Sequence, residues 1–214
     1  HQLDIPERRA YVKQVDSDYY TDAITYTKVK VLETMETFAS HNHGEVHVAH
    51  QVVGFKKIKF HTMENIGAGN LSMPEQEMHT TSYWLHFPQE FLAQFTDLTP
   101  TEKQAGLAGL GNLLRAVGSL LVMCDPHDLG VSITEDIAGS LQVFEPNLYL
   151  YDNYPGGIGL SAALYRMTDK LLAGATSLLR ACPCESGCPS CVGPLGETGE
   201  RGKEIATRFL QALA

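Results

Sequence analysis

Polar and apolar positions alternate over roughly the first ninety residues. Lys28-Val-Lys-Val-Leu has the period of two expected of a half-buried strand, and Val46, Val48, Val52 and Val53 continue it. Phe55, Ile58 and Phe60 read as a further strand, and Thr80-Thr-Ser-Tyr-Trp-Leu-His-Phe is a β-branched and aromatic run. Gly44 and Gly54 punctuate these runs at hairpin spacing, and Ile66-Gly-Ala-Gly-Asn-Leu-Ser-Met-Pro is a loop by composition. The pattern predicts a small antiparallel sheet or partly closed barrel.

The period changes at Pro88. Pro88-Gln-Glu-Phe-Leu-Ala-Gln-Phe predicts a short helix, and Thr99-Pro-Thr-Glu opens a longer one with Leu107, Leu110, Leu114, Val117 and Leu121 on one stripe. Gly106, Gly109, Gly111 and Gly118 each cost that helix about 1 kcal/mol relative to alanine. They predict either close helix approach or a break. Two extended segments follow, Val131–Glu135 and Leu148–Asp152, then a turn at Pro155-Gly156-Gly157. A third helix carries Leu160, Leu164, Met167 and Leu171 on one side, and a fourth carries Ile205, Phe209 and Leu213. The fold class expected is α+β: an N-terminal small antiparallel β module over residues 1–87, then a mainly helical domain over 88–214.

Four of the five cysteines fall within ten residues, Cys182-Pro-Cys184-Glu-Ser-Gly-Cys188-Pro-Ser-Cys191. Four thiolates on turn-rich backbone suit a tetrahedral ion, with Pro183, Gly187, Pro189 and Gly193 supplying the turns. Cys188-Pro-Ser-Cys191-Val-Gly looks like a zinc knuckle, in which the glycine lets backbone N–H groups point at a sulfur. All four positions are filled by thiolates, so the expected zinc is structural. Disulfides, an iron–sulfur cluster and free thiols are the competing readings. Cys124 ends an apolar run and reads as a small core residue.

The remaining chemistry is sparser. Net charge is −9, from 16 Lys+Arg and 25 Asp+Glu, which argues against an autonomous nucleic-acid binder. The densest cationic run is Lys56, Lys57 and Lys59, either a solvated strand face or a phosphate contact. His41, His43, His47, His50 and His61 lack a carboxylate at ligand spacing and read as strand-face residues. Asp125, Asp128 and Asp152 end elements; they could serve a metal-dependent hydrolase, although capping and turn chemistry explain them more simply. Gly156-Gly157-Ile-Gly159 lacks the phosphate-binding patterns, and Ser161 lacks a nucleophile elbow. No uninterrupted apolar window reaches membrane-spanning length, and the start has no signal-peptide layout, so a piece of a longer, non-membrane protein is expected.

Asp125-x-x-Asp128-x-Gly130, Tyr151-Asp152-Asn-Tyr-Pro155-Gly-Gly-Ile-Gly159 and the cysteine run occur in an order that resembles the C-terminal region of mitomycin-repair-type superfamily 2 DNA helicases, relatives of the RecQ-like group with a C-terminal zinc-binding domain. Val15–Thr21 and Gly54–Lys59 are similar to the stretch that joins the helicase core to that domain. The resemblance implies that Cys182, Cys184, Cys188 and Cys191 are zinc ligands. It also implies that the chain is an accessory region of an ATP-dependent repair helicase, partnered by the motor domains of the same polypeptide and by DNA, in single-stranded form, in the cytoplasm if the source is bacterial. The motor's phosphate loop is not among these residues, so no catalytic residue is expected here. Two rivals are the hydrolase using Asp125, Asp128 and Asp152, and a zinc scaffold that binds protein alone.

Overall fold

The computed structural model describes residues 2–135 and 145–213. Two strands much longer than the pattern predicts organise its first half. They are β3 (Tyr19–Phe38) and β4 (His41–Lys59), and the turn between them places Ala39 at a φ of 51°. A two-stranded antiparallel ribbon, β1 (Gln2–Asp4) and β2 (Arg9–Tyr11), precedes them. Gly44 and Gly54, expected at turns, lie inside β4 instead. A Cβ at residue 44 would collide with the backbone carbonyl of Glu33, and one at 54 would approach the Gly69 carbonyl to 2.8 Å. These glycines mark close strand contacts. The segment expected as a loop begins with a strand, β5 (Asn65–Asn70), which pairs antiparallel with β4 from Gly54↔Asn70 to Ile58↔Asn65. Composition misreads it because Gly67 and Gly69 lie beneath the Lys57 and Phe55 side chains of β4.

The chain divides into two compact units. Residues 1–26 and 50–75 form the first, with the β1–β2 ribbon, the outer parts of β3 and β4, and β5. Among the described residues, none of its apolar side chains is fully buried.

The second unit holds residues 27–49 and 76–214. Its strands run in the order β3-β4-β6-β8-β7, where β6 is Gln76–His86, β7 Leu129–Glu135 and β8 Pro146–Asp152. Val29, Val46, Val48, Trp84, Tyr149 and Tyr151 pack together as a small apolar cluster. Ser132 Oγ of β7 lies 3.5 Å from Thr27 O of β3, and the antiparallel sheet expected of the first ninety residues takes two of its strands, β7 and β8, from beyond them. The larger core contains the alternate residues of β6 and β8, such as Tyr83, Leu85, Leu148 and Leu150, packed with the helices.

Helix α1 (Gln89–Ala93) is followed by α2 (Pro100–Val122), opened by a capping box: Glu102 N–H donates to Thr99 Oγ1 and Thr99 N–H to Glu102 Oε2. Helix α2 is unbroken, so its glycines serve close approach. A Cβ at Gly106 would strike Ile205, and one at Gly111 would lie 2.8 Å from Val131 Cγ1 and 2.9 Å from Leu148 Cδ1. At Gly109 and Gly118 the neighbours are Val192 and Leu164, each at 3.3 Å. By length and hydropathy α2 also passes as a membrane span, contrary to the sequence expectation, but Leu107, Leu110, Leu113 and Leu114 are fully buried inside the fold, as in a core helix. The single helix expected after the Pro-Gly-Gly turn is two, α3 (Leu160–Arg166) and α4 (Thr168–Ala181). Met167 leaves the helical region between them at φ −110°, ψ 23°, and the Thr168 hydroxyl donates to Tyr165 O. After the short α5 (Leu195–Thr198) comes α6 (Gly202–Leu213). Arg201, just before α6, reaches Glu102 in the first turn of α2 at 2.8 Å, and Arg208 grips Asp97 through two 2.7 Å bonds.

Candidate metal centre

The end of α4 delivers the first cysteine. Cys182 is its C-cap and donates its N–H to Leu178 O, after which the chain turns through Gly187 at φ 138° and Gly193 at φ 105°. The turn Cys188–Cys191 is closed by Cys191 N–H to Cys188 O, and Gly193 N–H donates to the same carbonyl, both at 3.0 Å. The glycine's own amide thus meets a carbonyl, while the backbones of Cys184 and Val192 support the Cys182 and Cys191 sulfurs. Lys203 of α6 donates its ammonium to Cys182 O and Cys184 O at 2.7 Å each, fixing the first pair from outside. Behind the second pair, Val192 is fully buried against Gly109, and its carbonyl accepts from Asn112 Nδ2 of α2. Two helices therefore brace the loop.

The four sulfurs form a ring. Sγ–Sγ distances are 3.4 Å for Cys182–Cys184, 3.5 Å for Cys182–Cys188 and Cys184–Cys191, and 3.6 Å for Cys188–Cys191. A flat square with such edges needs diagonals of about 4.9 Å, yet all the ligand atoms lie within 4.8 Å of one another, so the ring is puckered toward a tetrahedron. Metal–sulfur bonds of about 2.3 Å place tetrahedral sulfurs about 3.8 Å apart. The donor set therefore fits one tetrahedral ion. All five cysteines are free, which removes the disulfide reading, and the four clustered sulfurs lie within 4.8 Å of one another, as around a single ion. The Cys184 backbone lowers the Cys182 thiol to about 7, whereas desolvation pushes Cys184 up to about 12 and raises Cys191. Four thiolates this close need a cation to coexist. Cys124 stands apart, half-buried against the core, with desolvation raising its thiol.

The three aspartates do not converge. Asp125 accepts from His127 N–H at 2.8 Å, and Asp128 accepts from Asp125 N–H and from the Tyr154 hydroxyl, a reciprocal cap on a turn of 3₁₀ helix. Asp152 is fully buried and accepts four backbone N–H groups, from Ile158, Gly159, Leu160 and Ser161, at 2.7–3.1 Å. Its carboxylate anchors the Pro-Gly-Gly turn and the start of α3. Among the described residues the cysteines are the only cluster that could hold a metal ion, so the aspartate hydrolase reading has no site.

Two expected strand-face histidines are buried. His41 Nδ1 lies 2.8 Å from the Tyr83 hydroxyl, whereas neither ring nitrogen of His43 meets a hydrogen-bond partner. The sequence signal was their i, i+2 spacing on a strand. Burial lowers both imidazoles below their usual value; Asp169 opposes this at His41, and Glu36 and Asp152 oppose it at His43. Above pH 6.5 both rings are neutral folded or unfolded. As pH falls below 6.5 the unfolded chain takes up protons that the folded chain resists, so stability declines. We expect the melting temperature to fall between pH 7 and 5, with a shallower fall for His43→Phe; equal slopes would assign the acid lability elsewhere.

The candidate DNA lysines lie on β4, with Lys56 exposed and Lys57 and Lys59 half-buried. The Lys57 ammonium sits 5.1 Å from the centroid of the Tyr19 ring.

Residues 110–192 match the family described as MZB, the MrfA Zn-binding domain. The chain is 38% identical over 215 residues to the ATP-dependent helicase YprA of Bacillus subtilis (strain 168), across 99% of this chain and 27% of that protein. It is similar in structure to the DUF1998 helicase MrfA bound to DNA, with a TM-score of 0.66 and 34% identity over 100% of this chain and 28% of that one. A second MrfA crystal structure gives a TM-score of 0.60 at 28% identity, covering 98% and 27%. The chain spans about a quarter of the length of these relatives.

Proposed function

We propose that this chain, whose residues 110–192 match the family described as the MrfA Zn-binding domain, is the accessory C-terminal region of an ATP-dependent DNA helicase acting in DNA repair. In this reading Cys182, Cys184, Cys188 and Cys191 hold one structural zinc ion, which neutralises thiolate charge and ties the end of α4 to α2 and α6. ATP hydrolysis belongs to motor domains elsewhere in the same polypeptide. The observation that carries the proposal is the puckered four-sulfur ring within a segment of this family. The MrfA structures include one bound to DNA and one bound to DNA and AMPPNP, which supports a role beside a DNA strand. A protein-only zinc scaffold has no observation in its favour.

The DNA contact is assigned to Lys57 and Lys59, which share one face of β4. The first unit suits it on charge, with six Lys+Arg against seven Asp+Glu, while the second has ten against eighteen. Removing one cationic partner of a single-strand phosphate makes the salt dependence of binding shallower by about 0.7. In the full-length protein, Lys57→Gln with Lys59→Gln is expected to reduce the slope of log affinity against log salt by about 1.4. Strand unwinding should weaken while DNA-independent ATP hydrolysis stays unchanged. An unchanged slope in the folded variant overturns the assignment of the lysines.

A further inference from the structure

The first unit presents two unlike sheet faces. On the face that carries Lys57 and Lys59, the strand positions are Tyr19, Thr21, Ala23 and Thr25 of β3, Val53 and Phe55 of β4, and Gly67 and Gly69 of β5. None of them is acidic. The opposite face carries Asp22 and Lys56 among Tyr20, Ile24, Ile58 and Phe60. Close packing between neighbouring strands builds the first face. Lys57 lies over the Tyr19 ring; a Cβ on Gly69 would come within 2.6 Å of the Phe55 ring; and a Cβ on Gly67 would lie 3.6 Å from Lys57 Cδ. The two glycines of β5 thus let an aromatic ring and a lysine stem lie down across the neighbouring strand, leaving no side chain of β5 above them. Phe55 and Tyr19 are half-buried; Phe55 lies against Gly69, and the Tyr19 ring lies beneath Lys57.

We infer that this face is a stacking platform for single-stranded nucleic acid. Phe55 receives a base, while Lys57, held over the Tyr19 ring, and Lys59 hold the flanking phosphates. The inference deepens the DNA-guiding reading above and rests on it. Aromatic rings accept any base through its π-face, and bases are available to them only where the duplex is open. Lys57, with no carboxylate on its own face, keeps its charge for phosphate, whereas Lys59 lies beside the carboxylates of Asp16 and Asp18. Asp16 and Asp18 line a recess beside Lys59 at the end of the strands, where an approaching backbone meets like charge, so the strand is expected to run along β4 toward Phe55 instead of past Lys59. Bases bound this way are read without sequence preference, which suits a helicase strand in transit.

The test uses the full-length protein, labelled oligo(dT) and a duplex of equal length. Phe55→Leu is expected to weaken oligo(dT) binding about five- to a hundredfold with an unchanged salt slope, because it removes stacking and no charge, and Tyr19→Leu, which loosens Lys57, is expected to weaken it less. Duplex binding should change less than twofold. Phe55→Trp gives a second measurement that does not depend on weakened binding: the native Trp84 is buried, so quenching of the new indole by oligo(dT), and none by duplex, reports a stacked base. Absence of quenching, with leucine variants that bind as the parent does, overturns the platform. If the lysine pair still lowers the salt slope in that case, DNA tracks this strand by its backbone alone and only the stacking inference falls. Equal weakening of duplex and single strand also overturns it. If the leucine variants leave DNA binding intact but detach the region from the motor in limited proteolysis, the face is a protein contact and the inference is wrong.

Discussion

Replacing Cys188 with serine is expected to unfold the region around residues 160–214 at temperatures where the parent chain is fully folded, while Cys124→Ser shifts the melting temperature only slightly. Cys188 closes two edges of the sulfur ring, at 3.5 and 3.6 Å, and its carbonyl accepts two amides that shape the turn. No preformed site exists in an unfolded chain, so metal binding energy of about 10–16 kcal/mol for a structural zinc is folding energy for this segment. Losing one thiolate forfeits several kcal/mol of it. Cys124→Ser removes only one half-buried sulfur. Melting curves paired with metal analysis decide the matter: the parent should hold one zinc per chain and be colourless, and Cys188→Ser should hold much less. Equal shifts for the two variants, or a brown parent containing iron and acid-labile sulfide, would overturn the closed zinc site.

The other large effect is expected at Asp152. Its carboxylate accepts four backbone amides while fully buried, so Asp152→Ala strands those donors away from water. An unsatisfied buried donor costs about 1–3 kcal/mol, and even with partial relaxation the destabilisation should exceed about 3 kcal/mol. Asp152→Asn should be less severe, because its amide oxygen can keep the three donors of Ile158, Gly159 and Leu160 while its nitrogen faces only Ser161 N–H. Chemical denaturation measures both. A destabilisation below about 1 kcal/mol for the alanine variant would mean that the turn between Asn153 and Gly159 holds its shape without the carboxylate.

Much of this architecture was legible in the sequence, and the exceptions have physical causes. The capping box at Thr99 and Glu102 is a local signal, and it placed the start of α2 correctly. The cysteine spacing located the four-sulfur cluster because every donor lies in one loop. Tertiary contact defeated the pattern elsewhere. Gly44 and Gly54 punctuate the sequence as turns do, but they serve strand pairing inside β4, and β5 was hidden because its glycines answer to Phe55 and Lys57 of another strand. Met167 continues the apolar stripe through α3 and α4, so periodicity missed the break there. The burial of His43 was equally invisible: spacing places it on a strand face, and only packing against Tyr165 says which face is closed. No periodicity reveals that β3 and β4 each run through both compact units.

The glycine row of α2 has an evolutionary consequence. Gly106, Gly109, Gly111 and Gly118 each answer to a different part of the chain, namely Ile205, Val192, the pair Val131 and Leu148, and Leu164. A methyl group gained at Gly106 or Gly111 must be matched by volume given up at its own partners, and one at Gly109 or Gly118 needs its neighbour to shift by a few tenths of an ångström. Descendants of this sequence can therefore change Gly106 and Gly111 only in couples, so the helix acts as a ledger of sizes in which α6, the cysteine loop, the sheet and α3 are each entered separately.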